Sequence, residues 1–283
     1  WLDPASASVH PDTAITAVED GGPVVRLTLA EDGVPGRKYT LDAVVTDERG
    51  NPCSFLYEFY GFNGRVPGLV INEIITAPST TVYTGAEIAV LSGGNMGGVT
   101  FFEGTKSYPD KKFVFPSFEV ETGAFILLHF NAAGAPGEID ETENMTSASG
   151  KGASPTAYDF WAPGTGNLSA DNDALSLYSD PEGRLLDGFL YTTRVYADGM
   201  KYNGFGTAAM LGKAVELARD GGWKTAGAEP YPGDAFNPKG ATSERSICRD
   251  SSSGDSGGKE DWHIVPAGER TPGGPNSDAV YVP

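Results

Sequence analysis

The chain has 283 residues, of which 38 are acidic and 20 basic, for a net charge of −18; such a surface repels nucleic-acid phosphate and anionic lipid headgroups and disfavours both as partners. Apolar residues make up 39% and charged residues 20%, while Gly (38) and Pro (20) supply about a fifth of the chain. That balance suits many turns between short strands and argues against a coiled coil, a helical bundle or wholesale disorder.

The chain opens at Trp1 without Met or a charged and apolar leader, so it is expected to be a mature or trimmed piece whose targeting segment was removed. The first segment alternates apolar and polar residues at Val25, Leu27, Leu29, then at Tyr39, Leu41, Ala43, Val45, then at Phe55, Tyr57, Phe59, the period of strands. Turn clusters separate these runs, EDGVPGR from Glu31 and DERGNP from Asp47, predicting a small antiparallel Ig-like sandwich over 1–66. A Gly/Pro junction from Asn63 to Gly68 follows, and the domain boundary is placed there.

From Leu69 the predicted strands recur in LVINEII, AEIAVL, KFVFPSFEV and AFILLHF. The longest stretches, such as 124–128, fall far below the roughly 20 apolar residues of a membrane-crossing helix. The segment from Gly134 to Pro155 is small, polar and acidic, and reads as a mobile surface loop, as does the tract from Asp250 to Glu260. Between Asp173 and Tyr191 the pattern predicts a hairpin, with Leu175 and Leu177 inward, a turn at Asp180-Pro181-Glu182, and Gly183 as a left-handed bulge residue. Phe189 and Tyr191 return on one face. One segment has a helical period: Thr207 caps a run whose Met210, Leu211, Ala214, Leu217 and Ala218 share a face, with Lys213, Glu216 and Arg219 pointing away and Gly221-Gly222 ending it.

The segment from Gly68 to Asn276 resembles the lamin tail domain. The matching residues are GLVINEI from Gly68, AEIAVLS from Ala86, the hairpin LSADNDALSLYSDPEGRLLDGFLY, and SERSICRD…DW…TPGGPN ending at Asn276. Residues 195–238, helix included, stand as an insertion against that pattern. The N-terminal GRKYTLDAVVTDERGNPCSFLYEF is similar to the end of a bacterial Ig-like domain. The resemblance implies an all-β protein of two Ig-like sandwich domains, 1–66 and 67–283. It further implies a non-catalytic module of a bacterial surface or periplasmic protein, binding a protein or glycan of the cell envelope through loops at the sandwich ends. The competing class is a hydrolase.

For a serine hydrolase the candidate is GDSGG at Gly254–Gly258, which needs a His base and an orienting acid. Only His10 and His129 lie upstream, in no matching context, so the motif reads as chance. A glycosidase would need two carboxyls facing across a cleft, a separation that sequence does not give. His129 and His263 read as packed strand residues, and the three histidines form no metal signature. Calcium is the one cofactor considered, with oxygens from Asp140, Glu141 and Glu143 or from Asp171 and Asp173, although the spacing of an EF-hand loop is missing. The candidate ligand-binding aromatics are Tyr158, Phe160, Trp161, Tyr231 and Phe236, which could stack on sugar rings or anchor a protein; for Trp161 a core position is favoured. Cys53 and Cys248 read as two isolated thiols, since a disulfide would have to bridge the two domains. Asn144-Met145-Thr146 and Asn167-Leu168-Ser169 fit the glycosylation sequon, which matters only in a secreted eukaryotic context.

Overall fold

The computed structural model of the protein describes Leu2, residues 6–20 and residues 24–283. Alternating residues and tight turns form the predicted strands of the first segment. The turn at 47–51 is held by Asp47, whose carboxylate accepts the backbone N–H groups of Arg49 (2.8 Å) and Asn51 (2.9 Å). β1 (Ser8–His10), β4 (Lys38–Thr46) and β5 (Pro52–Tyr60) make a three-stranded sheet in the order β1-β4-β5, and β2 (Ile15–Asp20) pairs with β3 (Val25–Leu29) as a separate hairpin. Among the described residues, the buried apolar side chains of this unit are Leu2, Val9, Tyr39 and Ala43. It meets the rest of the chain closely: a Cβ on Gly36 would lie 1.8 Å from the backbone nitrogen of Gly98. The junction is pinned by Asn63, whose amide donates to the carbonyls of Asn95 (2.6 Å) and Gly97 (2.9 Å).

Beyond the junction two sheets pack face to face. One has six strands in the order β13-β12-β7-β6-β16-β17, from β6 (Gly68–Ile75), β7 (Thr84–Ser92), β12 (Phe125–Ala132), β13 (Tyr158–Pro163), β16 (Ile247–Arg249) and β17 (Trp262–Ile264). The other runs β10-β9-β14-β15, from β9 (Thr100–Gly104), β10 (Pro109–Val114), β14 (Asn172–Tyr178) and β15 (Leu185–Thr192), with β8 (Gly94–Asn95) and β11 (Glu119–Val120) as a short pair beside them. Ile71, Ile88, Leu128 and Phe160 from the first sheet meet Phe101, Leu175, Leu177 and Phe189 from the second in one core. The fold is all-β and sandwich-like, as the sequence predicts.

Three local expectations are corrected. The hairpin β14–β15 forms, but Gly183 is not left-handed; a Cβ there would fall 2.1 Å from the Ser179 hydroxyl and 2.3 Å from the Asp180 carboxylate, so both side chains would have to move to admit one. α1 (Ala208–Arg219) is capped by Thr207, which accepts the N–H of Met210. Its Lys213 and Glu216 are buried, however, because the helix lies against the four-stranded sheet and the 105–107 turn, which offer both charges partners. Finally, β12 and β13 are parallel neighbours, so their connection must cross over the sheet instead of turning back. The crossover is the Gly134–Pro155 segment, tied down by its own carboxylates in place of a loose loop.

Candidate binding cleft and the buried polar row

The six-stranded sheet buries both faces. A register shift between Ile71 and Glu73 in β6 sends Leu69, Ile71 and Ile74 into the core and turns Glu73 to the opposite face. There a row of directly opposed residues runs across all six strands, His263, Cys248, Glu73, Glu87, Leu127 and Asp159, every one buried. The C-terminal segment covers its centre. Glu73 accepts the Thr271 N–H (3.1 Å) and hydroxyl (3.0 Å), while Glu87 accepts the Gly273 N–H (2.5 Å) and the Asn72 amide (2.6 Å). Burial, and after it the charge of Glu73, pushes Glu87 up to about 8; burial likewise raises Glu73. At one end His129 bonds Asp159 at 2.6 Å and stacks on Trp161 at 4.1 Å. A cavity of about 20 Å³ between Glu73, Glu87 and His129 has room for about one water.

The same network absorbs the motif residues of the sequence. Arg249 donates to the Ile71 carbonyl (2.9 Å), Asp187 (2.7 Å) and Asp255 (2.7 Å), and its guanidinium lies 4.6 Å from the Trp262 ring centre. Asn276 donates to the backbone carbonyls of Asn72 (2.9 Å) and Arg249 (2.8 Å). Residues from all four matching segments therefore meet in one lock that closes the end of the chain onto the sheet. The sequence signal for it is a Glu in each of two largely apolar strands, Glu73 in VINEII and Glu87 in AEIAV, which strand periodicity alone does not single out.

The carboxylates considered for calcium are separated. Asp140 accepts the Trp161 N–H (2.8 Å), and Glu141, buried, accepts those of Ser147 (2.7 Å), Ala148 (2.8 Å) and Asp159 (3.0 Å). These two line a shallow cavity of about 130 Å³ with Glu143, which is exposed. Asp173 lies elsewhere, in a buried ion pair with Lys213 at 2.6 Å, and Lys213 also bonds Asp110. The Asp171 carbonyl accepts the N–H of Thr193 (2.7 Å). Among the described residues no three His, Cys, Asp or Glu side chains are grouped to hold a metal ion.

The five candidate aromatics do not form one surface. Phe160 is core, packed edge-on against Phe115 at 5.2 Å, and Tyr158 is half-buried beside Phe118. Trp161, next in the strand, is buried on the opposite face and donates from its indole to the Ile139 carbonyl (3.1 Å). Phe160 and Trp161 are thus enclosed, whereas Tyr158 keeps part of its surface exposed. Tyr231 and Phe236 lie elsewhere. Phe236 extends the four-stranded sheet beside β15, its N–H donating to Leu190 (2.9 Å) and its carbonyl accepting from Thr192 (2.8 Å). There it forms part of an open cleft of about 670 Å³, with Thr192, Arg194, Tyr196, Asn237, Lys259 and Glu260 among the other walls. Tyr231, exposed, packs edge-on against Tyr196 at 4.7 Å. Tyr196 and Arg194 were missed in the sequence because a single aromatic amid polar turn residues has no periodicity.

The GDSGG loop serves its own structure. The Ser256 hydroxyl donates to Asp261 (3.0 Å), and Asp255 takes a left-handed backbone (φ 53°) that brings its carboxylate to Arg249. His263 donates to the Ser277 carbonyl at 2.8 Å. Cys53 is exposed and Cys248 buried, both as free thiols. No helix among the described residues is long and apolar enough to cross a membrane.

Comparison with known proteins gives three likenesses. Residues 67–264 match the family described as the second domain of the TP_1001 protein. An uncharacterized protein of Treponema pallidum (strain Nichols) is 23% identical over 156 residues, which is 55% of this chain and 39% of the length of that relative. A crystal structure of a DUF4876 family protein from Bacteroides thetaiotaomicron superposes with a TM-score of 0.33 at 14% identity, covering 88% of this chain and 82% of that one. With more than half of its length in that match, the chain belongs to the TP_1001 second-domain family.

Proposed function

We propose that the protein is a non-catalytic, extracytoplasmic binding module of a bacterial surface or periplasmic protein, lamin-tail-like from residue 67 onward, and that its partner is an envelope glycan held in the cleft at Tyr196. The observation that carries this reading is the Tyr196–Tyr231 pair at the mouth of a cleft partly walled by Phe236. Aromatic faces stack on the apolar faces of sugar rings, and Arg194, Asn237 and Lys259 supply donors for hydroxyls around them. Loops held by a rigid sandwich suit recognition. The net charge of −18 favours a partner without a phosphate backbone. A domain boundary at residues 66 and 67 is supported by the family match, which begins at residue 67.

The test is co-sedimentation of the purified chain with cell-envelope fractions and isolated glycans, wild type beside Tyr196→Ala/Tyr231→Ala. Saturable glycan binding that the double variant loses is the expected result. Binding that survives both substitutions, or saturable binding only to envelope protein, overturns it.

A further inference from the structure

Among the described residues Lys213 is the one buried lysine, and its Nζ lies 2.6 Å from Oδ1 of Asp173; the two side chains are 5% and 6% exposed. Tyr191, fully buried, stands opposite Asp173 on β15. Asp110, near the start of β10 and 54% exposed, bonds the same nitrogen. The Ala174 N–H donates to Asp173 Oδ1 (2.7 Å), so it polarises the carboxyl and would stabilise charge developing on that oxygen. A primary amine, a carboxyl closed off from solvent and a second carboxylate able to move a proton are together the parts of an amide condensation.

We propose that Lys213 and Asp173 condense into an intramolecular amide that bonds α1 covalently to β14. Asp110 takes a proton from the Lys213 ammonium, and the freed Nζ lone pair forms a bond to Cγ of the protonated Asp173 carboxyl. The nitrogen passes a second proton to the departing hydroxyl, the Cγ–O bond breaks, and one water leaves past the exposed Asp110, which returns its proton to solvent. An amine and an acid become an amide and water, so no oxidant or reductant is consumed. Burial favours the protonated acid, raising Asp173 against the pull of Lys213. Burial also works to lower Lys213, but Asp173 and Asp110 outweigh it and keep the amine protonated, and the step therefore needs Asp110 as acceptor. Groups held in contact reach effective concentrations of about 10⁵ M or more, and a closed site keeps out the water that would hydrolyse the product. Rotation of the carboxyl about its Cβ–Cγ bond turns the hydrogen-bonded approach of Nζ into attack on the carbon. The link closes residues 173–213 into a covalent loop, so the segment from Thr193 to Thr207, with Arg194 and Tyr196, is anchored at its far end by a bond in place of packing alone.

The experiment is intact-mass spectrometry of the whole chain in denaturant, which dissolves an ion pair and leaves an amide, followed by proteolysis and fragment sequencing of the wild type. Lys213→Arg, which keeps the charge and lacks the amine, is measured beside it, as is Asp110→Ala; Asp110 is exposed, so that variant keeps the fold, which its melting temperature verifies. The wild type is expected to be lighter than its sequence by one water and to yield a branched peptide joining Asp173 to Lys213. Lys213→Arg is expected at the full mass of its sequence, and Asp110→Ala folded but less completely linked. A wild type at full sequence mass, a water lost without a peptide joining those two residues, or a link as complete in Asp110→Ala as in the wild type overturns the proposal.

Discussion

Glu73 on β6 and Glu87 on β7 stand directly opposite one another on the covered face of the six-stranded sheet, and each accepts a backbone N–H from the same C-terminal segment, from Thr271 and Gly273 respectively. Two buried carboxyls side by side cannot both ionise without cost, and the proton they keep ties stability to pH.

Glu87 is raised to about 8 by burial and by Glu73, against an unfolded value near 4.3. Between those values the native chain holds a proton that the unfolded chain has released, so unfolding free energy falls as pH rises, by at most about 1.4 kcal/mol per pH unit for one group. Burial also raises Asp187, to about 6, against the opposing pull of Arg249, so it acts in the same direction. Urea midpoints are therefore expected to be higher at pH 5.5 than at pH 8, with a shallower slope in Glu87→Gln, whose amide keeps an acceptor for Gly273. A midpoint that climbs over this range would falsify the assignment.

Lys213, buried on α1 where the helix meets the four-stranded sheet, joins the buried Asp173 and the more exposed Asp110. Removing one partner of a buried pair strands the other charge, so Lys213→Met is expected to cost about 3–5 kcal/mol. Lys213→Met/Asp173→Leu should recover part of that loss, because the stranded carboxylate is gone. Chemical denaturation of the two variants decides it, and a double variant less stable than the single one contradicts the reading.

Arg249 makes three directed donations and lies over Trp262. A lysine keeps the charge but lacks the planar fork, so Arg249→Lys is expected to lose about 2 kcal/mol or more, on the order of one or two charge-assisted hydrogen bonds. The loss should be accompanied by faster amide exchange at residues 271–276, which the lock holds down. Unchanged exchange there would separate Arg249 from the C-terminal closure.

Asp140 and Glu141 already accept backbone N–H groups of the crossover and of β13. A cation would compete with those bonds for the same oxygens. Millimolar calcium is therefore expected to leave the melting temperature where EDTA leaves it. A rise in calcium that Asp140→Asn abolishes would show that the cavity beside Glu143 takes the ion.

Period-two alternation, turn chemistry and a capping threonine depend on neighbours in sequence, and for that reason the strands, the β14–β15 hairpin and the helix after Thr207 were legible in the chain itself. So was the all-β class, from Gly, Pro and the scarcity of helical period. The candidate site was legible only in part. Phe236 and Tyr231 are in or beside the cleft, but its other aromatic, Tyr196, is 35 residues before Tyr231 and has no pattern of its own. Phe160 and Trp161 are adjacent in the sequence, yet successive strand residues face opposite sides of a sheet. Local charge predicts solvent for Lys213 and Glu216, and it is distant partners such as Asp173 and Thr105 that make their burial tolerable. The polar composition of segment 134–155 predicts a mobile loop; the parallel pairing of β12 and β13 makes it a crossover, and its carboxylates accept N–H groups of the backbone that crosses there. Local sequence determined which segments are strands, whereas sheet order and register decided which charges are buried and which aromatics are free, because those depend on residues brought together from far along the chain.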